Sequence, residues 1–145
     1  MRMPLEMRIT GDSNVHLAPQ NGNTHGTCSI EVLTTQNVDR DEWQGYMQEV
    51  TDAWMNLMDD SGKPIHPFKN ENGMMLHPRP HWAKDWANLT VKGVPIRKYC
   101  KETACTEQIK LYQSGLEEIA KSGGYTVEEA DKVFSTELSR DMFSK

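Results

Sequence analysis

His77-Pro78-Arg79-Pro80-His81-Trp82-Ala83-Lys84-Asp85-Trp86 is the stretch around which the rest of the chain is organised. Pro78 and Pro80 fix φ at about −65° and remove two backbone donors, so the first half is extended or turn-like backbone and not helix. It carries one Arg and two His, and two indoles and a Lys follow at once. Large apolar rings exclude water, and in the lower dielectric they create a neighbouring cation acts more strongly on an anionic or electron-rich group. The same residues also read as a structural loop, with the tryptophans plugging the core while Arg79 and Lys84 point to solvent.

Working outward, Leu5 to Thr10 alternates, with Leu5, Met7 and Ile9 on one face and Glu6, Arg8 and Thr10 on the other. Period 2 predicts a half-buried strand and sets Glu6 beside Arg8. They read either as an exposed ion pair or as a pair directed into a cavity. Residues 11–26 are rich in Gly, Asn, Ser and Pro and predict loop. Thr27 to Thr34 is a second strand, strong in β-branched residues, with Ser29 and Glu31 on one face. The intervening loop is short for a crossover helix, so the two strands are expected to be antiparallel neighbours.

The clearest helix is predicted from Asp41 to Asp60. Its apolar stripe is Trp43, Tyr46, Met47, Val50, Trp54, Leu57 and Met58; Asp39 or Asp41 caps its start, and Gly62 with Pro64 stops it. Its aromatics fit packing on a sheet better than a cofactor box. A short extended piece is expected at Pro64–Phe68. A second helix covers Thr106 to Lys121, with Ile109, Tyr112, Leu116 and Ile119 on one side and Gly123-Gly124 at its end. Thr126 and Glu129 form a capping box that opens a last helix burying Val127, Ala130, Val133, Phe134 and Leu138. The order predicts an α+β fold: an antiparallel sheet of few strands packed with about three helices, in a single domain over residues 1–145.

Composition excludes some functions. A net charge of −5 argues against nucleic-acid binding, which needs a concentrated basic surface. No apolar run approaches a bilayer span and no signal-peptide core is present. Cys28, Cys100 and Cys105 are odd in number, which fits reduced thiols in a soluble intracellular protein better than a disulfide framework. His77 and His81 have the spacing of a zinc-binding helix, but Pro78 and Pro80 forbid the helix that would bring them together.

Arg79-Pro-His-Trp-Ala-Lys84 resembles the (R)PHW(G/A)K signature of the sugar-lactone and alditol oxidases, the D-arabinono- and L-gulono-lactone oxidase type of the vanillyl-alcohol-oxidase-like flavoproteins. Further elements lie upstream in the matching order. Pro4-Leu5-Glu6-Met7-Arg8 is similar to their (P)-x-E-x-R strand, and Val15-His16-Leu17-Ala18-Pro19 to their W-L-S-P turn. The strand from Thr27 to Val32 follows. The similarity runs from about Pro4 to Trp86 and weakens after it; Asp141-Met142-Phe143 is similar to a D-P-x-x-x-F tail but lacks the proline.

The resemblance implies the substrate-side, C-terminal domain of an FAD-dependent oxidase. Such an enzyme takes a hydride from a CH–OH group of a sugar lactone or polyol and is reoxidised by oxygen or another acceptor. It assigns Arg8, held by Glu6, to polarising the substrate oxygen. Lys84 goes to the flavin edge or the substrate oxygens, His81 to accepting a proton or orienting a group, and Glu31 to a substrate contact. Catalytic roles thus fall on Glu6, Arg8, His81 and Lys84, and cofactor contacts on His81 and Lys84.

Family members also carry an N-terminal FAD-binding domain with a glycine-rich phosphate cradle and often a flavin-attaching histidine, neither of which is legible here. The chain is therefore expected to be a fragment or truncated product, weak in FAD binding alone, with apolar surface exposed around Trp82 and Trp86. A sterol oxidase of the same superfamily and a non-catalytic cap-like binding module are the alternatives.

Overall fold

The computed structural model describes residues 5–35 and 37–143, and the side chain of Phe134 is not among the described parts. Pro4, the first residue of the Glu6 element, therefore lies outside them, as does any burial of the Phe134 ring. The fold is α+β, and the described residues form three two-stranded antiparallel ribbons and five α-helices. β1 (Glu6–Thr10) pairs with β2 (Thr27–Glu31), β3 (Phe68–Lys69) with β4 (Met75–Leu76), and β5 (Thr90–Val91) with β6 (Val94–Pro95). The sequence predicted one sheet; the strands between Phe68 and Pro95 are two residues long and close only local hairpins.

Asp39 starts α1 (Arg40–Met55): its carboxylate accepts from the Asp41 and Glu42 amides at 2.9 and 3.0 Å, and the acidic first turn complements the helix dipole. The helix stops at Met55, earlier than predicted. Asp59 accounts for the difference, because its carboxylate accepts from the Ser61 amide and hydroxyl and the Lys63 amide, folding a turn that returns the Ile65 amide to the Leu57 carbonyl. No α1 residue is fully buried; Met47 and Met55 face the core while Tyr46 is exposed. Gln48 fastens the helix to β5, accepting from the Thr90 amide at 2.8 Å and donating to its carbonyl at 3.0 Å.

The core collects Trp86, Leu89, Val91, Ile96, Cys100, Ile109 and Met142. Trp82 and Trp86 meet edge to face with centroids 5.5 Å apart, and Trp82 meets Phe143 similarly at 5.6 Å. Both indole N–H groups are satisfied, Trp82 donating to the Leu17 carbonyl and Trp86 to the Trp82 carbonyl. Trp86 is buried in the core, while Trp82 is half-buried and lines an open, mostly apolar hollow with Trp86, Leu138 and Phe143. Arg79 is not solvent-directed: it donates to the carbonyls of Ala104 (3.0 Å), Asn21 (2.7 Å) and Pro19 (3.4 Å).

From β6 the chain enters α2 (Ile96–Tyr99) and a π-type turn, Cys100–Ala104, closed by the Cys105 amide on the Cys100 carbonyl. All three cysteines are free thiols, with Cys100 and Cys105 buried together. Contact with Cys105 and burial push the Cys100 thiol up, holding it protonated. α3 (Thr106–Ser122) ends at Gly123-Gly124 as predicted, with Gly124 at φ +76°. The capping box of Thr126 and Glu129 is present at the start of α4 (Val127–Phe134). The predicted last helix breaks after Phe134 and resumes as α5 (Glu137–Phe143), where Thr136 accepts from the Ser139 amide.

The apolar stripes are only partly covered. Leu116, Ile119, Val127 and Val133 are exposed, against expectation, and the packed side of α3 is Ile109, Tyr112, Gln113 and Ala120. In β1 the predicted alternation holds but its burial does not: Leu5, Met7 and Ile9 are 64%, 65% and 76% exposed, because among the described residues no layer covers that side of the ribbon. Two isoleucines of the predicted α3 stripe thus have opposite fates, Ile109 being 7% and Ile119 70% exposed. Ile109→Ala is expected to cost about 2–4 kcal/mol of stability in urea melts, and Ile119→Ala under about 0.5 kcal/mol.

Candidate functional site

Register brings the acidic and basic candidates to one face. Glu6 pairs with Glu31 and Arg8 with Ser29, so Glu6, Arg8, Ser29 and Glu31 project from the same side of the β1–β2 ribbon. Arg8 Nε donates to Glu6 Oε1 at 2.8 Å and its Nη2 lies 2.7 Å from the same oxygen, so one carboxylate oxygen fixes the guanidinium. Nη2 also faces Glu31 Oε2 at 3.9 Å, the limit of an ion pair. The second Glu31 oxygen, Oε1, meets Lys84 Nζ at 3.1 Å. Glu31 therefore bridges the ribbon to the loop that follows Pro80.

Electrostatics match this geometry. The Lys84 hydrogen bond is the main cause that holds the Glu31 carboxyl below the usual carboxylate range; partial burial opposes it, and the Lys84, Arg8 and His81 charges add to it. Glu6, by hydrogen bond and charge, raises Arg8 further above its already high value. The Glu31 side chain is 22% exposed, whereas Arg8 and Lys84 are more than half open. The cluster is accessible to a ligand, and its exposed ion pairs add little to stability.

Local chemistry holds the loop. The Lys84 amide donates to the His81 carbonyl at 2.9 Å, closing the turn after Pro80. Asp85 accepts from Gln44 Nε2 at 2.9 Å, which ties the residue beside Lys84 to α1. His81 Nδ1 accepts from the Ala83 amide at 3.2 Å, so the neutral imidazole carries its proton on Nε2. With Nδ1 occupied, His81 presents a donor; acting as a base would first require displacing the Ala83 amide.

The residues carried by the sequence pattern, Glu6, Arg8, Glu31, His81 and Lys84, are thus gathered by the ribbon and one turn. Two contributors were not singled out as site residues. Ser29 sits opposite Arg8, and only the strand period pointed to it; Gln44 had no sequence signal, since its partner lies 41 positions away. His77 does not join His81: it stacks edge-on to Tyr99 with centroids 6.2 Å apart. Among the described residues no group of three or more His, Cys, Asp or Glu converges as a metal site would require, and no helix is long and apolar enough to cross a membrane. No known family model, curated protein or solved structure matches this chain.

Because Glu31 has a lowered folded-state pKa, its contribution is present above the unfolded carboxyl pKa and is lost as pH falls through the folded one. An NMR titration is expected to put the Glu31 midpoint below that of an ordinary glutamate. Lys84→Met is expected to move it upward, while Lys98→Met, a cation remote from Glu31, leaves it in place.

Proposed function

We propose that this chain is the substrate-facing part of an FAD-dependent oxidase acting on a CH–OH group of a neutral, polyhydroxylated substrate such as a sugar lactone or alditol. The observation that carries the reading is the Glu31 bridge. Arg8 and Lys84, far apart in sequence and each part of a separate family-like motif, reach the same carboxylate. Two carboxylates and two cations balance in charge, which suits a neutral substrate rich in hydroxyls better than an anion.

The donor set suits the reacting edge of a flavin but not its pyrophosphate. Lys84 and His81 would lie at the ring edge, where a fixed cation and an N–H favour negative charge. Every described helix of eight residues or more opens with acidic residues, Asp41 and Glu42 in α1, Glu107 in α3, Glu128 and Glu129 in α4, and such N-termini repel a phosphate. The reading therefore gives the adenine and pyrophosphate to a separate FAD-binding domain.

FAD, when bound, supplies the hydride acceptor. The chain's own part is to position. Glu6 fixes the plane of the Arg8 guanidinium, whose open side donates to a substrate oxygen. Glu31 accepts from a neighbouring hydroxyl while restraining Lys84, and His81 Nε2–H orients a second oxygen. The uncovered face of Leu5, Met7 and Ile9 is where the FAD-binding domain would pack.

The isolated chain is expected to purify colourless and to retain no stoichiometric FAD on gel filtration; a yellow preparation would contradict the division of labour. Joined to an FAD-binding half that accepts it, Lys84→Met is expected to slow stopped-flow flavin reduction about a hundredfold, or about 3 kcal/mol of barrier. Arg8→Met should behave alike with a larger rise in apparent KM, and melting temperatures should barely change. Reduction at the parent rate in both variants would leave a non-catalytic binding module as the reading.

A further inference from the structure

A cavity of about 260 Å3 lies on another part of the molecule, between the end of α1, the segment at His66-Pro67, His77 and the β5–β6 hairpin. Its walls are mostly apolar, supplied by Met55, Pro67, Val91, Val94 and the Tyr99 ring. Its polar groups are chiefly bases: His66, His77 and Lys92 line it, and no Asp or Glu does. Among the described residues neither imidazole takes part in a hydrogen bond and Lys92 makes no ion pair. Tyr99 does not compete for them, since its hydroxyl donates to the Pro78 carbonyl at 3.3 Å.

We propose that this cavity binds a small organic monocarboxylate with a planar apolar body, its carboxylate held by Lys92 and the two imidazoles. Lys92 and the two imidazoles are brought to one apolar-walled space with no acid among the residues that line it, which leaves their N–H groups available to an anion. The apolar walls exclude a small hydrated anion such as inorganic phosphate, which would lose its water against methyl and thioether groups. They favour a flat hydrocarbon body that displaces weakly held water, and the volume suits a ligand of about ten non-hydrogen atoms. The site shares no residue with the Glu31 cluster, so the inference does not depend on the oxidase reading.

Charge adds a signature. Burial lowers the pKa of His66; for His77, burial is the leading cause and the Arg79 and His66 charges add to it. Lys92, a cation, also lines the cavity, and Tyr99, whose own pKa is raised, contributes no anion. An imidazole is therefore reluctant to protonate in the free protein, and a bound carboxylate reverses that preference. Binding should take up a proton, and affinity should rise as pH falls toward the imidazole range.

The test is calorimetric and NMR titration of the full chain with benzoate, benzyl alcohol and inorganic phosphate. Benzoate is expected to bind with shifts confined to the cavity residues, benzyl alcohol at least about tenfold more weakly, and phosphate undetectably. Lys92→Met should weaken benzoate about tenfold, as expected for loss of a charged hydrogen bond. Val94→Trp, which fills the space from an exposed strand, should abolish binding with the melting temperature retained. Equal binding of benzyl alcohol would overturn the carboxylate assignment, and equal binding of phosphate would reduce the site to a surface cation patch. No benzoate binding, or no effect of Lys92→Met in a folded variant, would overturn the proposal.

Discussion

One guanidinium organises this molecule. Arg79 donates to the carbonyls of Pro19 and Asn21 on one side and of Ala104 on the other, joining the loop before β2 to the π-type turn before α3. The flanking prolines contribute by removing donors that would compete and by restricting the backbone so that the side chain emerges in a fixed direction. Hydrogen bonds to a charged group contribute about 1.5–3 kcal/mol, and a lysine could not fill three acceptors in the same fork geometry. In a chain whose ribbons are small, such a clasp supplies long-range order that no extensive sheet provides.

From that anchor the rest follows in sequence order. Trp82 drops onto the Leu17 carbonyl, Trp86 enters the core, and the turn between them throws Lys84 back toward β2. The same ten residues thus contribute both to the core and to the ion-pair cluster at Glu31. Its indoles pack against the core, while His81 and Lys84 are exposed and Lys84 pairs with Glu31.

Legibility in the sequence followed how local each signal was. Asp39, the box of Thr126 and Glu129, and Gly123-Gly124 act within a turn, and each sits where the residues put it. The Thr136–Ser139 cap that restarts the chain as α5 was equally local but was hidden inside a continuous apolar pattern. The stop at Met55 depends on Asp59 folding the turn beyond it. Periodicity marked Ile119, Val133 and Met7 as apolar-face residues, yet a period says nothing about whether another layer arrives. Strand alternation set Glu6 beside Arg8 and Ser29 beside Glu31, but the register that joins the two pairs depends on the hairpin and was not legible in the period. Arg79 carried no readable signal, because its partners are backbone carbonyls and any residue could have supplied them.

The link from clasp to site is the central claim, and one measurement reaches it. In Arg79→Met, under conditions where the chain stays folded, the Glu31 carboxyl would be titrated by NMR. If the clasp positions the loop, Lys84 loses its hold on Glu31 and the midpoint climbs toward that of an ordinary glutamate, although Arg79 itself does not touch Glu31. A midpoint unchanged from the parent chain, in a variant that has lost stability, would contradict the account and leave Arg79 as a local fastener.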